Sequence, residues 1–365
     1  MSAIPEFTHE RVLTSMGARS GLVITVALHS SVLGPALGGC RMWTYPTWAD
    51  GQADALRLSA AMTLKNAAAG LDAGGGKSVI ALPMGTTLDA ARRRAALLDL
   101  GDLVEALDGR YRTAEDVGTT EHDMLVVRER TEHVVGLPAE SGGAGEPAGA
   151  TALGVFSAIA PTLEEAFGSG EIEGRSFVIS GLGQVGSRLA RMLAGHGARL
   201  IVTDIDGRKR ELADELGAQW ISPEAALTTP ADVLVPAGLG GILTDQAIDA
   251  LPVRAVVGPA NNPLDDHSGA ERLMQRGIVY APDFVVNAGG VIHLEGMAHG
   301  QEWPAIAERL TGIGDTVRGV LASARERGIT PLAAAESLAA ARIDAARAHG
   351  SSSGAAERVR TAVGV

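Results

Sequence analysis

Short apolar runs of strand length alternate with longer Ala- and Leu-rich stretches along almost the whole chain, the pattern of a layered α/β architecture. Residues 20–40, SGLVITVALHSSVLGPALGGC, carry no Asp, Glu, Lys or Arg. His29, Ser30 and Ser31 split that stretch and Gly34-Pro35 would break a helix, so it predicts two buried strands joined by a turn and no membrane span. ADALRLSAAMTLKNAAA (53–69) lacks Gly and Pro and predicts a helix. KSVIALP (77–83) predicts a strand, and ARRRAALLDLGDLVEAL (91–107) an amphipathic helix with its Arg block on a solvated face.

The small-residue stretch SGGAGEPAGA (141–150) reads as a linker and as the domain boundary. Beyond it the pattern is helix (151–167), strand (176–180), Gly-rich turn, helix (185–197), strand (199–204) and helix (207–217), a parallel-sheet building block. DVLVPA (232–237), AVVGPA (255–260) and IVYAPDF (278–284) extend the sheet, and two Ala- and Arg-rich helices, 303–327 and 331–348, close the chain. There is no internal repeat.

The 365 residues suffice for about two domains of roughly 150 residues. With 46% hydrophobic and 20% charged residues, they can bury a sizeable core. The net charge of −12 repels phosphate backbones and argues against nucleic acid. A single cysteine, Cys40, permits no internal disulfide, and the acidic, h-region-free N-terminus shows no secretory signal, so a cytoplasmic location is expected. The histidines show no H-E-x-x-H or similar spacing, and no metal site is expected.

Gly181-Leu182-Gly183-Gln184-Val185-Gly186 matches G-x-G-x-x-G between an apolar strand and a helix. There the first Gly permits the tight turn, the second lets the backbone approach a pyrophosphate, and the third allows close helix packing. Asp204 ends the next strand, where a carboxylate accepts from an adenosine ribose and repels a 2′-phosphate, which favours NAD over NADP. Gly74-Gly75-Gly76-Lys77-Ser78 is one residue out of register for a phosphate-binding loop, and a strand follows it, so an ATPase or kinase is rejected. A glycine loop can instead bring Lys77 close to a substrate and partly out of water. Desolvation, with Lys65 as a second cation nearby, would make Lys77 a base near neutral pH.

MTLKNAAAGLDAGGGKSVIALP (62–83), RYRTAEDVGTT (110–120), GLGQVG (181–186), VVGPANNPL (256–264) and YAPDFVVNAGGVIHL (280–294) resemble the Glu/Leu/Phe/Val amino-acid dehydrogenases. The likeness runs in order from about residue 20 to the closing helices, nearest the leucine, valine and phenylalanine members. It implies an N-terminal α/β substrate domain (1–145, completed by helices at about 328–350), a Rossmann dinucleotide domain (146–327) and a cleft between them. It also implies a reaction in which an L-amino acid, NAD and water interconvert with a 2-oxo acid, ammonium and NADH, in a homo-oligomer. By motif, Lys65 resembles the partner of the substrate carboxylate, Lys77 the base that activates water, and Asp116 the carboxylate that exchanges a proton with the amine. Gly38 and Gly39 resemble backbone beside the substrate, and Asn261 and Asn262 a pair of which at least one amide reaches substrate or nicotinamide. Thr151, Ala237, Gly238 and Asn287 resemble cofactor-contacting positions, and Pro259 beside the Asn pair is expected to shift it.

Leu37, Ala114, Val291 and Leu294 resemble the lining of the side-chain pocket. All four are aliphatic, so a second carboxylate would be buried unpaired and glutamate is excluded. Ala114 matches branched-chain-preferring relatives, where phenylalanine-preferring ones tend to carry Gly, so a branched aliphatic L-amino acid is expected, with L-phenylalanine as the alternative. Two readings from other classes are a 2-hydroxy-acid dehydrogenase, which pairs a His base with an Arg clamp, and a non-catalytic NAD-sensing module. Lys65, Lys77 and Asp116 argue against both.

Overall fold

A computed structural model describes residues 8–363 of the chain, which divides into two compact units. Residues up to Glu146, with those from Ala339 on, form the first unit, and Pro147–Leu338 form the second.

The first unit is built on a five-stranded sheet of β1 (Arg11–Met16), β2 (Val23–Ser30), β3 (Ala36–Tyr45), β4 (Gly74–Pro83) and β5 (Tyr111–Glu115), in the order β1-β2-β4-β3-β5. The charge-free stretch thus supplies β2 and β3. β4, β3 and β5 are parallel, while β1 and β2 close one side antiparallel. Helix α1 (Trp48–Ala68) starts five residues before the expected 53, because Thr47 and Asp50 form a reciprocal capping box at its N-terminus. It covers one face of the sheet, where Ala55 packs with Tyr45, Val79 and Ala81. Helices α2 (Ala90–Glu105) and α3 (Glu121–Arg128) cover the other, burying Leu97, Leu100, Val104, Met124 and Val127 against Cys40, Met42, Ile80 and Tyr111.

Two expectations are corrected here. The glycines before Lys77 are strand β4 and not a loop. A Cβ on Gly75 would lie 2.1–2.5 Å from Thr63 of α1, and one on Gly76 2.7 Å from the Tyr111 ring, so the triplet exists to let neighbours approach both faces. The Arg block of α2 is not all solvent-facing: Arg92 and Arg94 are exposed, but Arg93 donates to Asp123 of α3 (2.9 and 2.6 Å) and to the Gly118 carbonyl (2.8 Å).

The second unit holds six parallel strands, β6 (Ser176–Ser180), β7 (Arg199–Thr203), β8 (Gln219–Trp220), β9 (Val233–Pro236), β10 (Ala255–Val256) and β11 (Val279–Tyr280), ordered β11-β10-β9-β6-β7-β8. Counted from β6 this is 3-2-1-4-5-6, the doubly wound dinucleotide-binding order, whose switch point lies where β6 meets β9. The helices are α4 (Ala148–Phe167), α5 (Gln184–Gly195), α6 (Arg210–Glu215), α7 (Asp245–Ala250), α8 (Ser268–Gln275), α9 (Asp283–Val286), α10 (Gly289–Ala298) and α11 (Trp303–Arg327). The expected linker at 141–150 is only partly irregular, since α4 begins at Ala148 directly after Pro147.

Helix α12 (Pro331–Val363) passes from the second unit into the first. Its Arg342 donates to the carbonyls of Ala67 (3.3 Å) and Leu71 (2.6 Å) and to Asp72 (2.9 Å), sealing the open carbonyl end of α1. Among the described residues no helix is long and apolar enough to cross a membrane.

Candidate active site

Three adjacent parallel strands bring the candidate residues of the first unit together. The register pairs Leu37 with Gly75 and Cys40 with Ser78, so Gly38 and Gly39 fall opposite Gly76 and Lys77. On the other side Leu37, Gly38 and Gly39 pair with Arg112, Thr113 and Ala114. Strand alternation then puts Leu37, Gly39, Arg41, Lys77, Ala114 and the next alternate position, Asp116, on the face that α1 covers. A Cβ on Gly38 would lie 1.8 Å from the Gly76 carbonyl, and one on Gly39 2.8 Å from the Asp116 Cβ, so neither tolerates a side chain.

Lys77 Nζ lies 3.0 Å from Asp116 Oδ2, in a position only 5% exposed. Arg41 Nε donates to the same oxygen at 3.0 Å. Burial pushes the Asp116 carboxyl up, but the Lys77 ammonium and the Arg41 guanidinium outweigh it and hold the group below the usual carboxylate range. Oδ1 takes no hydrogen bond from any described residue. The loop itself is pinned: Thr119 Oγ1 accepts from Asp116 N (2.9 Å) and donates to the Cys40 carbonyl (2.8 Å). Gly118, at φ +84°, lies where a Cβ would meet the Met42 carbonyl at 1.9 Å. The AEDVG segment is therefore both a turn and an ionic site.

Lys65 lies half-buried near the end of α1. Its neighbour Asn66, fully buried, donates to the Gly74 carbonyl (2.6 Å) and the Leu37 carbonyl (3.3 Å), fixing the helix end to the two strands beside Lys77. Leu37 and Ala114 are 1% and 3% exposed, an apolar wall beside the ion pair. Sequence reasoning missed Arg41, which the glycine pair of LGGCRMW places in the same strand, and its partner Asp54. It also missed Glu115, whose carboxyl burial pushes up to about 7, against a backbone hydrogen bond and with help from Glu121, Asp116 and Glu146.

In the second unit the fingerprint glycines behave differently from one another. At Gly181, φ is +112° and a Cβ would lie 2.8 Å from Ala237 C and Gly238 N, so the tight turn packs on the loop after β9. A Cβ on Gly186 would meet the Gly181 carbonyl at 2.1 Å, which accounts for close helix packing. Gly183 faces open space at the N-terminus of α5, where Gln184 and Val185 begin the helix. Free backbone at a helix N-terminus, opposite a glycine that nothing crowds, fits a pyrophosphate. Asp204 ends the next strand and accepts from Leu182 N (2.6 Å) and Asp206 N (2.8 Å), tying the β7 end to the fingerprint turn. Arg208 is engaged with Asp206 (2.8 Å).

Asn287 donates to the Pro259 carbonyl (3.2 Å) and to Asn261 Oδ1 (3.0 Å), while its own buried Oδ1 has no partner, a vacancy suited to the carboxamide of a nicotinamide. Asn262 adopts φ +48°, and its N–H donates to Asp283 Oδ2 at 2.7 Å. Tyr280 donates to the other Asp283 oxygen at 3.0 Å. Thr151 stands in the first turn of α4, where its hydroxyl donates to Pro147 O (3.1 Å) and lies 3.0 Å from where a Cβ on Gly290 would sit. Val291 and Leu294 lie on α10, half-buried and 7% exposed respectively. Among the described residues no group of His, Cys, Asp and Glu is placed to hold a metal ion.

The sequence matches the family described as Glu/Leu/Phe/Val dehydrogenase, dimerisation domain, over residues 13–133, and Glutamate/Leucine/Phenylalanine/Valine dehydrogenase over 202–350. A match to the NAD-binding domain of D-isomer specific 2-hydroxyacid dehydrogenases is confined to 159–239, the fingerprint part of the second unit. Leucine dehydrogenase of Geobacillus stearothermophilus is 40% identical, with 93% of this chain and 92% of that one covered. Valine dehydrogenase of Streptomyces coelicolor is 39% identical, with 93% of each covered. Among solved structures, L-tryptophan dehydrogenase from Nostoc punctiforme superposes with a TM-score of 0.80 at 34% identity, covering 93% of this chain and 97% of that one. With the ionic site on one sheet and the dinucleotide fingerprint on the other, these likenesses place the chain in the Glu/Leu/Phe/Val dehydrogenase family, as an amino-acid dehydrogenase that uses a nicotinamide cofactor.

Proposed function

We propose that the protein catalyses the reversible oxidative deamination of a branched aliphatic L-amino acid with NAD, the first unit serving as the substrate domain and the second as the dinucleotide domain. The observation that carries this reading is the pairing of buried Lys77 with half-buried Asp116 at 3.0 Å beside the apolar wall of Leu37 and Ala114. The leucine and valine dehydrogenases among its relatives support the substrate class.

Lys65, fixed through Asn66, pairs with the substrate carboxylate and so orients Cα. Asp116 presents Oδ1 to the amine, takes its proton, and later returns a proton to nitrogen. A bound nicotinamide would supply the acceptor for the hydride of Cα, and the substrate is then an iminium. Lys77, as free amine, then removes a proton from water as its oxygen attacks Cα. Asp116 then returns its proton to the nitrogen of the resulting carbinolamine, and collapse breaks the C–N bond, ammonia leaving as the hydroxyl proton passes back to the Asp116 carboxylate; Lys77 releases the proton it took from water when the products leave. Gly181, Gly183, Gln184, Val185 and Gly186 would hold the pyrophosphate, with Asp204 at the adenosine ribose and Thr151, Ala237, Gly238 and Asn287 along the rest of the dinucleotide. At least one amide of Asn261 and Asn262 reaches substrate or nicotinamide.

The wall residues Leu37 and Ala114 offer no partner to a second carboxylate, which counts against glutamate as substrate. Asp204 favours NAD over NADP, and Arg208, the nearby cation the sequence offers to a 2′-phosphate, is paired with Asp206. A homo-oligomer acting in the cytoplasm completes the reading, the association of copies being supported by the dimerisation-domain match over residues 13–133. Initial rates of NADH formation across a panel of L-amino acids at alkaline pH test it. The expected result is highest kcat/KM for leucine, valine or isoleucine with NAD. A higher value for phenylalanine, or equal use of NADP, overturns the corresponding assignment.

A further inference from the structure

Arg41 bridges two carboxylates that lie on different elements. Its Nε donates to Asp116 Oδ2 (3.0 Å), the oxygen that also meets Lys77, and its Nη1 meets Asp54 Oδ2 of α1 (3.0 Å). Asp54 is itself fixed, since Tyr45 donates to the same Oδ2 at 2.7 Å and Arg57 reaches Oδ1 at 2.6 Å. Asp54 is 14% exposed and Arg41 21%, so water competes little for either. A planar guanidinium held at two of its nitrogens is restrained, and with Lys77 it holds Oδ2 of the Asp116 carboxylate in place, leaving Oδ1 on the opposite side.

We propose that Arg41, anchored from behind by Asp54 and Tyr45, is a positioning residue that orients the Asp116 carboxylate so that Oδ1 meets the reacting amine. The inference rests on Asp116 being the proton-exchanging group of the proposed function. The groups facing Asp116 are Lys77 from β4 and Arg41 from β3, with Asp54 and Arg57 of α1 behind Arg41. On the sheet's other side its charge is felt by Glu115, Cys40 and Tyr111. Lys77 and Arg41 are the two cations among these in contact with it, so removing Arg41 removes half of the adjacent positive charge.

The test is the pH dependence of kcat/KM for oxidative deamination of L-leucine and L-valine by the full chain, with Arg41→Gln, Arg41→Lys, Asp54→Asn and Asp116→Asn. Asp116 works as the carboxylate, so activity is lost as pH falls through its ionisation. Arg41→Gln should lower kcat about tenfold and move the lowest acid-side ionisation up by about one pH unit, the effect of losing one adjacent cation. Arg41→Lys restores the charge without the fork, and should return the ionisation toward wild type while kcat stays low. Asp54→Asn keeps the guanidinium, so kcat should fall with no upward movement of that ionisation. The Kd for NADH should be unchanged in all three. An Arg41→Gln profile superimposable on wild type, or upward shifts of equal size in Arg41→Gln, Arg41→Lys and Asp54→Asn, would overturn the proposal. Asp116→Asn separates the two levels: if it keeps wild-type activity, the reading of Asp116 itself is wrong. If it is inactive while Arg41→Gln keeps its profile, only the positioning role fails.

Discussion

Replacing Gly75 or Gly183 by alanine adds the same methyl group, yet the two changes should fail in opposite ways. At Gly75 the new Cβ would sit 2.1 Å from Thr63 Oγ1, 2.2 Å from Thr63 N and 2.5 Å from Thr63 Cα, and two of these atoms are helix backbone. Ordinary contact begins near 3.4 Å, so α1 must retreat by about 1 Å. That retreat stretches the Asn66 bonds to Gly74 and Leu37, now 2.6 and 3.3 Å. Overpacking costs about 1–3 kcal/mol and a weakened buried hydrogen bond about 1 kcal/mol, together roughly 2–4 kcal/mol. For a unit of this size that is a fall in Tm of about 5–15 °C. Lys65, next to Asn66, moves with the helix, so KM for the amino acid should rise while NADH binding stays normal. At Gly183 nothing lies within 4 Å of the new Cβ and φ is −67°, so Tm should change by less than about 2 °C. There the methyl occupies the space proposed for the pyrophosphate, and the Kd for NADH should rise at least about tenfold, roughly 1.4 kcal/mol. Calorimetry and fluorescence titration of NADH read both quantities on the full chain. A Gly75→Ala protein as stable as wild type would refute the close α1–β4 approach. A Gly183→Ala protein that binds NADH normally would refute the fingerprint as the pyrophosphate cradle.

Lys77→Ala and Asp116→Ala should each lower kcat by about 10²-fold or more with NADH binding intact, whereas Lys65→Ala should act mainly on KM for the amino acid. Near-wild-type turnover by Lys77→Ala would remove the base from the mechanism. Ala114→Gly opens the wall and should raise the kcat/KM ratio of L-phenylalanine to L-leucine by roughly 10-fold or more, against a methylene-scale limit of about 200-fold. An unchanged ratio would clear Ala114 of any part in selectivity. Glu115 titrates near 4.3 when unfolded and about 7 when folded, so the folded chain keeps a proton that the unfolded chain gives up, and stability falls as pH rises between those values. Glu115→Gln abolishes that loss: its Tm should match wild type near pH 4 and exceed it at pH 8, by up to about 4 kcal/mol of stability. Parallel Tm curves for the two proteins would show that Glu115 is not protonated in the fold.

The second unit was largely legible because its signals are local. A strand, a glycine turn and a helix follow one another in sequence, and SFVIS-GLGQVG carries its own register. The first unit was legible in its elements but not in its contacts. Gly74–Gly76 read as a loop, because glycine marks turns when seen alone, and only Thr63 and Tyr111, far off in sequence, reveal a strand that must be bare. Pro147 read as linker, although proline is equally at home at a helix start, where it stands. Lys77 was singled out by the glycines before it, and Asp116 through motif resemblance; the structure brings the two together at 3.0 Å. Arg41 and Asp54 were not, since their meeting depends on α1 crossing the face of β3, a tertiary fact with no sequence period. The Arg block of α2 shows the same limit: three consecutive arginines look alike, and only one of them finds Asp123.

The path of α12 has a consequence for the order in which the protein is made. The second unit is one unbroken span, Pro147–Leu338, whereas the first is split and takes its last piece from Ala339 onward. A ribosome therefore delivers the dinucleotide-binding sheet whole while the other sheet, synthesised earlier, still waits for Arg342 to close the carbonyl end of α1. Synthesis begins with the first unit, but folding can be finished first in the second. Until Arg342 has been added, the end of α1 that carries Lys65 and Asn66 stays unsealed, so the substrate site proposed there is completed only after the second unit has been delivered.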